Sequence, residues 1–300
     1  MTYHADIENI LADIRGDKSE GATSLALRGL DAIEAMARDL PEDLDEAKEA
    51  LISLAATIDS LRPSMAAIGN QAVLAVNRAL SLIGEGMEPA PAISRAVTAE
   101  REILGQANTT IAALAASQLD RRGRVVSCSW SVTALTTIRA IEPSQVVIGE
   151  GHRMGDGLRA SRWLAARGLD VTVVPDGALP TVVQEGSLVL VGADQVLADG
   201  SVVNRCSTYS LALAAKHRLA RFVVACQRIK LCGNAEANIE EHDNLFGALP
   251  EGVTARAPIF DLTPPDLIDS ILTESGRLTP EQAGAVGVGI ASLRKRVLGS

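Results

Sequence analysis

Three side chains with chemical potential lie close together in this sequence: the carboxylate of Asp194, the amide of Asn204 and the guanidinium of Arg205. Asp194 follows Leu188-Val189-Leu190-Val191, an apolar run that reads as a buried strand. A carboxylate at such a strand end is half-buried and suits general acid or base work, although capping the next turn would serve equally. Asn204 can bond sugar hydroxyls and Arg205 can grip a phosphate through two parallel bonds. Helix capping by Ser207 or Thr208 is the alternative reading of that stretch. Gly155-Asp156-Gly157 stand where a helix begins, so the free N–H groups and the helix dipole favour an anion near Gly157. The same residues also read as a turn with Asp156 as N-cap. Their spacing is neither GxGxxG nor a Walker loop. This speaks against a dinucleotide oxidoreductase, and no cofactor is expected.

These residues need elements to hold them. From Arg124 onward, short β-rich runs alternate with amphipathic stretches. Strands are expected at 124–128, 145–149, 170–174, 188–191 and 222–225, with helices near 131–141, 157–167 and 209–217. That alternation predicts a parallel sheet with crossover helices, which binds ligands at the carboxyl ends of its strands. The loops to inspect are therefore Ser127-Cys128-Ser129-Trp130-Ser131, Glu150 to Gly157 with His152 and Arg153, Pro175-Asp176-Gly177, Gly192-Ala193-Asp194, and Cys226-Gln227-Arg228. Before residue 120 apolar residues recur at helical spacing, as in Ile7, Ile10, Leu11 and Ile14. The fold class is α/β: a helical domain over 1–120, then a Rossmann-like parallel-sheet domain over 121–300.

Composition narrows the function. Apolar residues make up 47% of the chain, enough for a sizeable core, and the net charge is −9. An acidic chain with 2% aromatics lacks both the basic face and the stacking platform that nucleic acid needs. The four cysteines, Cys128, Cys206, Cys226 and Cys232, form no CxxC pair, so neither zinc nor a disulfide framework is expected. The beginning of the chain lacks the basic and apolar regions of a secretory leader, and no apolar run is expected to approach the length of a membrane span. The expected location is the cytoplasm, without membrane contact.

The stretch from Val189 to Ala225 resembles the core of the family that contains methylthioribose-1-phosphate isomerase, ribose-1,5-bisphosphate isomerase and the regulatory subunits of the exchange factor for eukaryotic translation initiation factor two. The family pattern G-A-D, N-G, N-K-x-G-T stands here as Gly192-Ala193-Asp194, Asp199-Gly200 and Asn204-Arg205-Cys206-Ser207-Thr208. Pro258 to Pro265 and Ile271 to Gly276 match the family's ending, and Arg62-Pro63-Ser64 resembles an R-P-T of its helical part. The resemblance implies an aldose–ketose conversion of a phosphorylated pentose, carried by the aspartate of G-A-D (Asp194) and a cysteine after the first strand. The isomerase T-H-C-N aligns with Ser127-Cys128-Ser129-Trp130. Ser129 therefore stands at the cysteine position, with Cys128 beside it. The Ser129-Trp130-Ser131 run instead resembles the S-Y-S of non-catalytic regulatory subunits. By the same resemblance Arg62, Gly21, Ala22, His152, Arg153, Gly157, Asn204 and Arg205 line the ligand site. Glu20 replaces the arginine of an R-G-A. The alternative to an enzyme is a regulatory protein that binds a sugar phosphate or nucleotide without turnover. A homodimer through the C-terminal domain is implied either way.

Overall fold

The computed structural model describes residues 3–17, 20–119, 123–152, 154–237, 239 and 247–299. The chain divides into two compact units. The first comprises Met1–Gln106, Ile229–Asn234 and Val286–Ser300, and the second Ala107–Arg228 and Ala235–Ala285. The boundary expected between residues 120 and 121 lies outside the described residues, and each unit draws on more than one stretch of chain.

The first unit is built on α1 (Ala5–Gly16), α2 (Ala22–Met36), α3 (Leu44–Leu61), α4 (Ala66–Gly84) and the start of α5 (Pro89–Gln118). Apolar residues at three- and four-residue spacing put one face of each helix inward. Leu25, Leu30, Ile33, Leu51, Leu54, Ile58, Val73 and Val76 form a fully buried core. α2 ends at Met36, and Asp43 caps α3 by accepting the N–H groups of Asp45 and Glu46. Contrary to the expectation from the sequence, α4 is long and apolar enough to cross a membrane, yet 67% of that stretch is buried. Small residues such as Ala67, Ala72, Ala75 and Ala79 raise its hydropathy and let neighbouring helices approach closely.

In the second unit, β1 (Arg124–Ser127), α6 (Val132–Ile141), β2 (Gln145–Gly149), α7 (Asp156–Ala165), β3 (Val171–Val174) and β4 (Leu188–Val191) alternate as expected. The chain then forms β5 (Gln195–Val196), β6 (Val202–Arg205), α8 (Thr208–Arg218), β7 (Arg221–Ala225), β8 (Phe260–Thr263), β9 (Ser270–Thr273), β10 (Gly276–Leu278) and α9 (Pro280–Leu298). The main sheet runs β10-β9-β7-β4-β1-β2-β3. Its pairs are parallel except β9–β10, which is the Rossmann-like arrangement. A small antiparallel sheet, β5-β6-β8, stands apart from it. Val125, Ile138, Ile148, Leu190 and Val223 fill the core of this unit.

Most element ends fall within a residue or two of the expected ones, and two of the differences matter for the site. β1 ends at Ser127, because Ser129 adopts a left-handed φ of 60° that no strand accommodates. Cys128 is therefore a loop residue. α7 begins at Asp156 after a left-handed Gly155, so Asp156 is the first helical residue and not the N-cap. Gly157 packs α7 on β2: a β-carbon there would press into the carbonyl oxygen of Gly149. Gly157→Ala is accordingly expected to lose about 1–3 kcal/mol of stability, the usual range for overpacking, read as a lower urea midpoint at unchanged slope.

Candidate functional site

From β1 the chain runs outward through β2 and β3, then returns to lay β4 on the other side of β1. The order reverses between β1 and β4, and a crevice at their carboxyl ends is where such sheets hold ligands. Ser127 closes β1 and donates through Oγ to the carbonyl of Leu190 at 2.7 Å. Ser131 caps α6 by accepting the N–H of Ala134 at 3.3 Å. Gly192, just past β4, lies against it: a β-carbon at 192 would collide with the Ser131 side chain and stand 3.9 Å from Asn204 Oδ1. Only glycine lets the β1 and β4 loops close to this distance.

Asp194 is half-buried. Its backbone N–H donates to the carbonyl of Val203 at 2.8 Å, so it lies alongside β6, whose end carries Asn204 and Arg205. Its carboxylate has no hydrogen bond or ion pair among the described residues. Asn204 is buried and donates from Nδ2 to Thr208 Oγ1 at 3.0 Å. Thr208 in turn donates to the carbonyl of Arg205 at 2.7 Å. Arg205 Nε donates to Asp156 Oδ2 at 3.0 Å, and both side chains are largely buried. The two terminal nitrogens of Arg205 have no partner among the described residues, which leaves its outer fork free for an anion.

Cys128 is buried, with Sγ 3.5 Å from Thr208 Oγ1. Because the threonine proton is already committed to Arg205, the thiol is the donor in this pair. Burial, above all, pushes the Cys128 thiol up to about 12. The Thr208 contact works against that shift, while the charges of Asp261, Asp156 and Asp176 add to it. Cys128 is thus a neutral thiol at neutral pH. Ser129 is also buried, in the strained left-handed turn beside it.

The loop after β2 is arranged from beneath. Asp176 accepts the backbone N–H groups of Gly151 at 3.1 Å and His152 at 2.7 Å. The exposed imidazole of His152 stands 3.8 Å from Glu150. Arg153 lies outside the described residues. The N–H of Gly157 faces Asp156 Oδ1 at 3.0 Å and that of Leu158 donates to the Glu150 carbonyl at 3.1 Å. The start of α7 is therefore internally satisfied at both of those groups.

The remaining expected ligand residues, Gly21, Ala22 and Arg62, belong to the first unit. Gly21 is the N-cap position of α2, and Ala22 is buried as its first residue. Arg62 donates to the Asp17 carbonyl at 2.7 Å. Glu20 is paired with Arg28 at 3.2 Å. Among the described residues no group of three histidine, cysteine, aspartate or glutamate side chains could hold a metal ion.

Two residues of this region escaped the sequence reading as site residues. Thr208 was visible only as a helix cap, yet it links Cys128, Asn204 and Arg205. Asp261 stands opposite Asn204 in the β6–β8 pairing, and both its oxygens accept the Tyr209 N–H at 3.1 Å. Burial raises its carboxyl to about 6, against the lowering effect of the Tyr209, Ser207 and Thr208 N–H groups. Its only local signal was an aspartate beside Phe260 in an otherwise apolar tail motif.

The chain is similar to known proteins over most of its length. The sequence profile of the initiation factor 2 subunit family matches residues 18–280. The chain is 30% identical over 317 aligned positions to a methylthioribose-1-phosphate isomerase of Xanthomonas oryzae pv. oryzae, covering 92% of this chain and 88% of that one. It is 29% identical over 299 positions to a ribose 1,5-bisphosphate isomerase of Haloterrigena turkmenica, covering 90% and 89%. The crystal structure of a translation initiation factor eIF-2B of Pyrococcus horikoshii OT3 superposes with a TM-score of 0.77 at 26% identity, covering 93% of this chain and 98% of that one.

Proposed function

The chain belongs to the initiation factor 2 subunit family, and from that premise we propose that it binds a phosphorylated pentose, of the ribose 1,5-bisphosphate or methylthioribose 1-phosphate type, and converts the aldose to the ketose. The observation that carries this reading is the carboxylate of Asp194, half-buried and unengaged beside the strand end that bears Asn204 and Arg205. In such a reaction the sugar ring opens by protonation and the hydrogen on C2 moves to C1. Asp194 is the group that takes that proton and returns it. The free fork of Arg205 receives a phosphate, and Asn204 bonds a sugar hydroxyl. Cys128, held neutral, can give a proton but cannot take one, so it fits the donor role. Ser129 offers a hydroxyl from the same loop. The protein acts in the cytoplasm, as a homodimer formed through its C-terminal domain.

A second reading has its own support. Cys128 is locked in a neutral pair with Thr208, and Ser129 occupies the cysteine position of the isomerases. Both favour a protein that binds the sugar phosphate, or a nucleotide, without turnover. The test is to incubate the protein with each sugar phosphate, follow the C1 and C2 carbons by NMR, and titrate the same ligands by calorimetry. Ketose formation supports the isomerase. Saturable binding without ketose supports the regulatory reading. Neither signal with any of these ligands rejects both.

A further inference from the structure

We infer that Asp261 is a positioning residue of this site: it clamps the first turn of α8 and so orients the Thr208 hydroxyl and the Asn204 amide toward the ligand. The inference rests on the reading of the crevice as a sugar-phosphate site and assigns a role there to a residue on a different sheet strand. Asp261 sits on β8, directly across from Asn204 on β6. Its two oxygens take the Tyr209 N–H at 3.1 Å each, and the Ser207 and Thr208 N–H groups help hold its charge. Those three residues are the cap and first turn of α8.

Ser207 needs such a clamp. Its φ is 92°, a left-handed conformation that a residue with a β-carbon holds only under constraint. The clamp is passed on through Thr208, whose hydroxyl accepts from Asn204 Nδ2 at 3.0 Å and donates to the Arg205 carbonyl at 2.7 Å. With Nδ2 held in this way, Asn204 Oδ1 is left on the Gly192 side, where the β4 loop meets the crevice. Releasing Asp261 frees Ser207 to relax and Thr208 to turn, and Asn204 loses its fixed orientation. The carboxylate is kept despite burial that opposes its charge, a cost typical of functional positions.

The test uses the full chain with ribose 1,5-bisphosphate and methylthioribose 1-phosphate as probes, in wild type, Asp261→Ala and Asp261→Asn. Amide hydrogen exchange of Ser207, Thr208 and Tyr209 is read in the same samples. Asp261→Ala is expected to weaken binding at least tenfold and to expose those three amides while the rest of α8 stays protected. Asp261→Asn keeps one acceptor oxygen and should fall between, and it guards against a misfolded alanine variant. Across pH 5–8 the wild type is expected to lose affinity on acidification, as the protonated carboxyl loosens its hold. The asparagine variant should show only the ligand's own titration. The titratable groups that feel the charge of Asp261 are Cys206, just past β6, and Cys128 from the β1 loop; the charged Arg205 at the end of β6 stands across from Phe260, its neighbour on β8. All are present in both proteins, so the difference isolates Asp261. Unchanged affinity in Asp261→Ala, with the three amides exposed, overturns the inference and leaves the functional reading intact. Absence of binding by the wild type overturns the functional reading, and this inference with it.

Discussion

Asp194→Asn is expected to lower ketose formation by about 10²–10⁴-fold, the span that a positioned proton-transfer group contributes, while sugar-phosphate affinity is retained. Asparagine has nearly the shape of aspartate but cannot accept the C2 proton. The native carboxylate makes no hydrogen bond or ion pair among the described residues, so the change orphans no partner. Stability should stay within about 0.5 kcal/mol, as for surface changes that break nothing. Stopped assays with either sugar phosphate, paired with calorimetry on the same samples, separate the two effects. Turnover that survives the substitution unchanged removes Asp194 from the reaction.

Arg294→Met should cost about 1–3 kcal/mol of stability, the penalty for leaving the partners of a partly buried, hydrogen-bonded charge unsatisfied. Within the first unit, Arg294 on α9 contacts Asp59 at 3.1 Å and donates to Asn70 Oδ1 at 2.7 Å. Asn70 in turn donates to the carbonyls of Ile229 at 2.7 Å and Leu231 at 3.2 Å. This network pins the 229–234 segment and the end of α9 to α3 and α4. Burial raises the Asp59 carboxyl, and Arg294 pulls it back down. Without the arginine the folded-state pKa climbs further. A raised carboxyl favours the folded state below its unfolded pKa, and that contribution is lost as pH rises through the folded value. The deficit of the variant is therefore expected to shrink on acidification from pH 8 to 5. A second change, Asp59→Asn, should recover part of it. Urea unfolding at several pH values provides the check. Equal midpoints for wild type and variant at pH 8 would contradict this account of the network.

What could be read from the chain, and what could not, divides along locality. β2 and β4 have the bounds expected from their continuous apolar runs, because Gln145–Gly149 and Leu188–Val191 are buried on both faces and bracketed by turn residues. α6 was legible from its amphipathic periodicity, and α8 only from its place after the β6 turn, because Ser207 gives it no side-chain cap. The small β5-β6-β8 sheet was not: β6 finds its partner in β8, far along the chain, and four-residue strands carry no period of their own. That pairing delivers Asp261 to Asn204, so Asp261 was invisible as a site residue for the same reason. The Arg205–Asp156 pair is likewise non-local, and each residue alone looked like a phosphate ligand or a helix cap. Family resemblance located Ser129, but only the left-handed turn shows why Cys128 leaves the strand and meets Thr208. Gly192 was read as part of a motif, and its physical reason is the Ser131 side chain lying against it.

The most direct measurement is a crystal structure of the protein soaked with ribose 1,5-bisphosphate at saturating concentration. The account predicts electron density between the ends of β1 and β4, with a phosphate on the outer nitrogens of Arg205 and the C1–C2 bond within hydrogen-bonding reach of Asp194. Sugar density bound elsewhere on the chain, or a ligand in the crevice with the Asp194 carboxylate turned away from it, would contradict the account.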